Sequence, residues 1–259
     1  LVAILLTSLS YGHMIRRYPS SGSAYTYAQK SIHPNVGFMV GWSSWLDYLL
    51  SPMVNIILAV IYLEALFPDM NHWVWVIGLT ALMTWVNLRG IKFVANLNGL
   101  IVLFQMLVIA IFVFLIIKDL SLGHTAQNAM GLSTANNGTL VSASPFWSDN
   151  AKLGALISGA TILCFSFTGF DALSSLAEET HETDKVLPKA IFLTALIAGI
   201  VFIVATYFMQ LYFPGNPAQY FSDVDATQPD ILRIVGGEMF KSVILSFAIV
   251  TVMASGISA

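Results

Sequence analysis

Two aspartates, Asp47 and Asp171, stand inside stretches that otherwise carry almost no charge. A charged side chain in such a stretch costs several kcal/mol to bury in lipid, so each marks an ion or ligand path before it marks packing. Asp171 closes the run Phe165-Ser166-Phe167-Thr168-Gly169-Phe170-Asp171. Glycine at position 169 lowers local helicity by about 1 kcal/mol relative to alanine. Ser166 and Thr168 can bond locally to freed backbone, so the run predicts a broken helix with Asp171 just beyond the break. Asp171 could equally cap the helix that restarts after Gly169, and the two roles are compatible. At α-helical spacing, Asp171, Ser174 and Glu178 share one face. A carboxylate in that setting can load and release a proton, which makes Asp171 and Glu178 the proton-coupling candidates.

The second aspartate belongs to a polar stripe, Ser44, Asp47, Tyr48, Ser51 and Asn55, across an apolar helix. Its phenol makes Tyr48 the best ligand candidate there: the ring face attracts an alkylammonium and the hydroxyl can accept a hydrogen bond. Interhelical hydrogen bonding as structural glue explains the same stripe nearly as well. Gly37 and Gly41, four apart, read as a close-packing pair.

The elements that must position these residues are membrane spans. Of 259 residues 57% are hydrophobic and 10% charged, against roughly 25% charged in an average soluble domain. Ala95–Ile117 and Ala190–Phe213 are uncharged runs long enough to cross a hydrocarbon core of about 30 Å. Gly37–Phe67, Trp73–Leu88, Leu153–Leu176 and Ser242–Ala259 read as further spans. Leu1–Met14 begins inside an apolar run and the last span ends inside one, so the chain is expected to be a fragment cut through helices at both ends. No linker divides it, and residues 1–259 are read as a single transmembrane domain.

Alternating spans put Arg16, Arg17, Lys30, Arg89, Lys92, Lys185 and Lys189 on one side and Lys118, Lys152, Arg233 and Lys241 on the other. The first side is therefore expected to be cytoplasmic. Trp73, Trp75, Trp147 and Tyr220 fall near span ends on the opposite side, as interfacial aromatics do. Asn137-Gly138-Thr139 matches a glycosylation sequon that has meaning only in a secretory host.

Scattered basic residues and a net charge of −3 exclude a nucleic-acid partner. The single cysteine, Cys164, excludes an internal disulfide, and the dispersed His13, His33, His72, His124 and His181 do not suggest a metal. No nucleotide loop, nucleophile elbow or zinc-protease motif is present, so neither catalytic residues nor a cofactor are expected.

Two long motifs carry a resemblance. One is Pro19-Ser20-Ser21-Gly22-Ser23-Ala24-Tyr25-Thr26-Tyr27-Ala28-Gln29-Lys30 with Val36-Gly37-Phe38-Met39-Val40-Gly41-Trp42; the other is Phe165 to Glu179 followed by Pro188-Lys189-Ala190-Ile191. Together they resemble the amino acid, polyamine and organocation transporter superfamily, and within it the bacterial putrescine importers. The resemblance implies an all-α polytopic membrane protein of LeuT-like inverted-repeat fold, two inverted five-helix repeats with peripheral helices, in the bacterial inner membrane. The chain would run from late in the second helix through the eighth, with Leu153–Glu179 as the broken sixth. It further implies a small-molecule amine as substrate, putrescine or similar, with protons as the coupling partner and the lipid bilayer as solvent. The ammonium would meet Ser166, Phe167, Thr168, Gly169, Phe170 and Asp171, with Asp47 and Tyr48 closing the cavity. An amino acid permease of the same superfamily is the first alternative reading, and a non-transporting membrane scaffold or receptor the second.

Overall fold

The computed structural model describes residues 1–88, 91–132, 138–146, 153–214, 220–221 and 227–258. Arg89, Asn137 of the sequon, Trp147, Lys152, Asp223 and Asp225 lie outside them. In chain order the helices are α1 (Val2–Arg17), α2 (Ser23–Ser31), α3 (Pro34–Leu66), α4 (His72–Asn87), α5 (Ile91–Ser121) and the single turn α6 (Ala126–Ala129). After these come α7 (Leu153–Cys164), two 3₁₀ segments (Phe165–Phe167 and Phe170–Glu178), α8 (Thr183–Tyr212) and α9 (Thr227–Ser258).

Among the described residues, five stretches can cross a membrane by length and composition: Pro34–Leu66, Gly99–Ser121, Leu156–Glu178, Thr183–Tyr212 and Thr227–Gly256. Gly99–Ser121 is the most apolar, with a mean hydropathy of 3.3. At about 1.5 Å per residue its 23 residues cover a hydrocarbon core. The chain is a multi-pass membrane protein, and its surface agrees: Phe38, Leu100, Leu103, Phe114 and Ile162 each expose more than half of their area. An aqueous protein exposes such residues singly; here they cover the helices.

The chain divides into two compact units. The first comprises Leu1–Leu46 and Phe146–Thr206. Its core is Ile15 of α1, Tyr27 of α2, Ala177 of the second 3₁₀ segment, and Leu187 and Ile191 of α8, flanked by Tyr11, Phe170 and Leu173. Glycine sets the approach of α2 to α3: a Cβ on Gly37 would lie 2.6 Å from the Gln29 Cβ, and one on Gly41 would lie 2.8 Å from the Tyr25 ring. Gly37 and Gly41 are therefore packing residues, each facing α2.

The second unit comprises Asp47–Pro145 and Tyr207–Ala259. Ala59, Val60 and Leu63 of α3 pack with Leu79 and Met83 of α4 and Met253 of α9. Ile116 and Leu120 of α5 meet Leu211 and Tyr212 of α8 and Ile231 and Val235 of α9. Phe104 stacks on Phe247 at 3.8 Å between ring centroids, and the Tyr212 hydroxyl donates to Asp119 at 3.1 Å.

Two differences from the sequence reading concern α9 and α2. The Ser242 span is the end of α9, which starts at Thr227 and is interrupted at Gly237 (φ 79°, ψ −178°), a conformation only glycine adopts freely. Loop chemistry hid that first portion: Asp230, Glu238 and a Gly236-Gly237 pair read as a connection, while Ile231, Leu232 and Val235 bury its inner face. Likewise α2 lies inside the loop Ile15–Val36. The division of Leu153–Leu176 at Gly169, as expected from the sequence, forms the site.

Candidate functional site

From Leu153 the chain is α-helical to Cys164, tightens to 3₁₀ at Phe165–Phe167, and extends at Thr168 (ψ 136°). Gly169 then turns it left-handed, at φ 98° and ψ −10°. A residue with a Cβ pays steric strain in that region, which is why glycine stands at the break. Short backbone bonds hold the corner: the Thr168 amide donates to Phe165 at 3.1 Å and the Ala172 amide to Gly169 at 3.1 Å. Helix ends leave carbonyls on one side of a break and amides on the other without intrahelical partners, a polar ring at membrane depth.

Packing fixes both sides of the break. Ahead of it, Phe167 meets Phe202 of α8 edge to face at 5.4 Å. Beyond it, Phe170 meets Tyr11 of α1 at 5.7 Å, and Tyr11 meets Tyr27 of α2 at the same separation. Ser174 is fully buried; its hydroxyl donates to the Asp171 carbonyl at 2.6 Å. That commits the Ser174 proton, so Ser23 donates to the Ser174 oxygen, at 2.5 Å. Burial raises the Tyr27 phenol above its ordinary value.

The residues singled out in the sequence fall as follows. Ser166, Thr168 and Gly169 are exposed at the corner, and Phe167, Phe170 and Asp171 are half-buried around it. All six belong to the first unit. Asp171 sits in the first turn of the second 3₁₀ segment, where the amide end of the segment favours a negative charge. The cap position itself is Gly169, which has no side chain to bond. Asp47 and Tyr48 are exposed residues of α3 in the second unit.

Glu178 departs from the face assigned to it. A 3₁₀ helix turns 120° per residue, so Asp171 and Ser174 stay aligned while Glu178, four further on, rotates away. Its carboxylate is exposed and accepts from the Ser21 amide at 3.1 Å and the Ser21 hydroxyl at 3.0 Å. Ser21 and Ser23 thus tie the turn before α2 to the broken helix, a role the sequence signals only as a serine-rich turn. Pro52, four residues after Tyr48 inside α3, is a further feature that the polar stripe conceals; it supplies no N–H to the Tyr48 carbonyl.

The break is a glycine-centred interruption of an apolar helix, with a carboxylate and aromatic rings beside it. The chain belongs to the amino acid permease family, whose model matches residues 1–259. It is 54% identical to the low-affinity putrescine importer PlaP of Escherichia coli K12 over 100% of this chain and 54% of that protein. It is 27% identical to the lysine-specific permease LysP of Escherichia coli K12 over 74% of this chain and 37% of that protein. The L-asparagine permease of Salmonella typhimurium is 25% identical over 80% of this chain and 41% of that protein. The chain therefore spans about half the length, or less, of these curated relatives.

Proposed function

We propose that the protein containing this chain is a secondary active transporter that imports putrescine or a related polyamine across the bacterial cytoplasmic membrane. The observation that carries this reading is 54% identity, over every residue of the chain, with a protein named for putrescine import. The chemistry of the candidate residues supports it. A dication leaving water needs carboxylates and ring faces, and Asp47, Asp171, Tyr48, Phe167 and Phe170 are of those types. Ser166, Thr168 and Gly169 bring backbone dipoles beside Phe167, Phe170 and Asp171. Import follows alternating access around the broken helix, driven by an inward proton gradient with Asp171 as the proton carrier and Glu178 as the second candidate. Arg16, Arg17, Lys30, Lys185 and Lys189 lie on the cytoplasmic side.

Labelled putrescine uptake by the full-length protein in proteoliposomes, with and without an inward pH gradient, tests the proposal. Uptake should rise with the gradient. Tyr48→Ala should raise the apparent transport constant about tenfold, the loss of one desolvated cation–π contact. Asp171→Asn should flatten the pH profile of any remaining uptake, and an unchanged profile would remove Asp171 from coupling. The lysine-specific relative supports one second reading, a cationic amino acid that shares the ammonium and adds a carboxylate.

A further inference from the structure

α1 meets α8 where Gly12 packs on Pro188, and Leu1, just before α1, reaches Gly199 further along α8, so the two helices pass in opposite directions; Gly12 and Pro188 are both buried. A Cβ on Gly12 would lie 3.1 Å from the Pro188 Cβ, so the missing side chain is what permits the approach. Gly12 and Pro188 form part of the wall of a groove of about 220 Å³. Arg16, Lys189 and His13 line it together with Leu9 and Phe192. Leu9 and Phe192 are one helical turn into the apolar parts of α1 and α8, whereas Arg16 lies one turn toward their polar ends. The groove thus carries Arg16 at its polar end and Lys189 between Arg16 and the apolar Phe192.

Among the described residues, Arg16 and Lys189 meet no carboxylate at ion-pair distance. Arg16 Nε donates to the Asp184 carbonyl at 3.3 Å, which fixes the guanidinium and leaves its two terminal nitrogens for another acceptor. His13 uses Nδ1 on the Leu9 carbonyl at 2.8 Å. Among the described residues the ion pairs engage His72, Lys185, Arg233 and Lys241, and neither Arg16 nor Lys189. The nearby Glu182 pairs with Lys185, and Glu178 is taken by Ser21. At the same end of this unit, Tyr18 carries Arg17 at 5.7 Å and Lys30 at 5.4 Å from its ring centre, an aromatic and cationic belt of the kind found at headgroup depth.

We propose that this groove binds an anionic phospholipid, with Arg16 and Lys189 on the phosphate and Leu9 and Phe192 against the glycerol esters and first acyl carbons. Charge complementarity selects the phosphate, and the continuous apolar lower half selects a lipid over free phosphate. The site lies at the end that the charge distribution assigns to the cytoplasmic leaflet, where anionic lipid creates a negative surface potential. It is independent of which solute is carried.

The test is lipid retention by the full-length protein, purified from mixed phosphatidylglycerol and phosphatidylcholine vesicles and weighed intact by native mass spectrometry. Wild type should retain phosphatidylglycerol in preference to phosphatidylcholine. Arg16→Gln with Lys189→Gln should weaken that preference about thirtyfold, from the loss of two cations near the phosphate. The charge-preserving pair Arg16→Lys with Lys189→Arg should keep it, which separates lost charge from lost folding. Equal retention of both lipids by wild type, full retention by the glutamine pair, loss by the charge-preserving pair, or displacement of the lipid by inorganic phosphate would each overturn the proposal.

Discussion

Gly169→Ala isolates the break from everything around it. A Cβ at Gly169 would meet nothing within 4 Å, so the substitution introduces no clash and its cost is the backbone alone. At φ 98° an L-residue with a Cβ is strained by about 1–2 kcal/mol. Strain confined to the native corner raises the population of its opened form by roughly 5- to 30-fold. Hydrogen–deuterium exchange of peptides covering residues 165–178, measured on the full-length protein in lipid, reads that population directly. Gly159→Ala is the internal control: Gly159 is α-helical, its Cβ would also meet nothing within 4 Å, and alanine there should leave exchange unchanged or slow it. Gly169→Asn should fall between wild type and alanine, because asparagine tolerates left-handed backbone. Unchanged exchange in Gly169→Ala, or equal acceleration in Gly159→Ala, would refute a glycine-dependent corner.

Two further outcomes follow from packing and hydrogen bonding. Gly37→Ala drives a Cβ to 2.6 Å from that of Gln29 and 2.7 Å from its Cα, so α2 and α3 must part; about 1–3 kcal/mol of stability should be lost, read as a lower thermal midpoint in detergent. Tyr212→Phe removes the hydroxyl that donates to Asp119, a bond to a charged acceptor, and should cost about 1.5 kcal/mol by the same measurement while leaving the exchange of residues 165–178 untouched.

Spans were legible in the sequence because lipid demands long uncharged runs, and α5 and α8 fall where those runs are cleanest. The break was legible for a local reason: in an apolar span, glycine weakens the helix at one point, and Ser166, Thr168 and Asp171 beside it supply the polar groups that a freed backbone needs. What the sequence hid depends on geometry that spacing does not encode. Asp171, Ser174 and Glu178 line up only if the segment is α-helical, and its 3₁₀ pitch sends Glu178 to Ser21 instead. The Ser23–Ser174 and Arg16–Asp184 contacts join residues more than a hundred positions apart, with no periodicity to announce them. Gly237 breaks α9 as Gly169 breaks the chain after α7, but its charged neighbours gave it the look of a loop.

Substrate selection by the full-length protein bears most directly on the identity of the carried solute. Labelled putrescine uptake into proteoliposomes under an inward pH gradient should be suppressed by excess cadaverine and spermidine, more weakly by lysine, and not by neutral amino acids. Suppression by neutral amino acids with none by the diamines would contradict the reading of this chain as part of a polyamine importer.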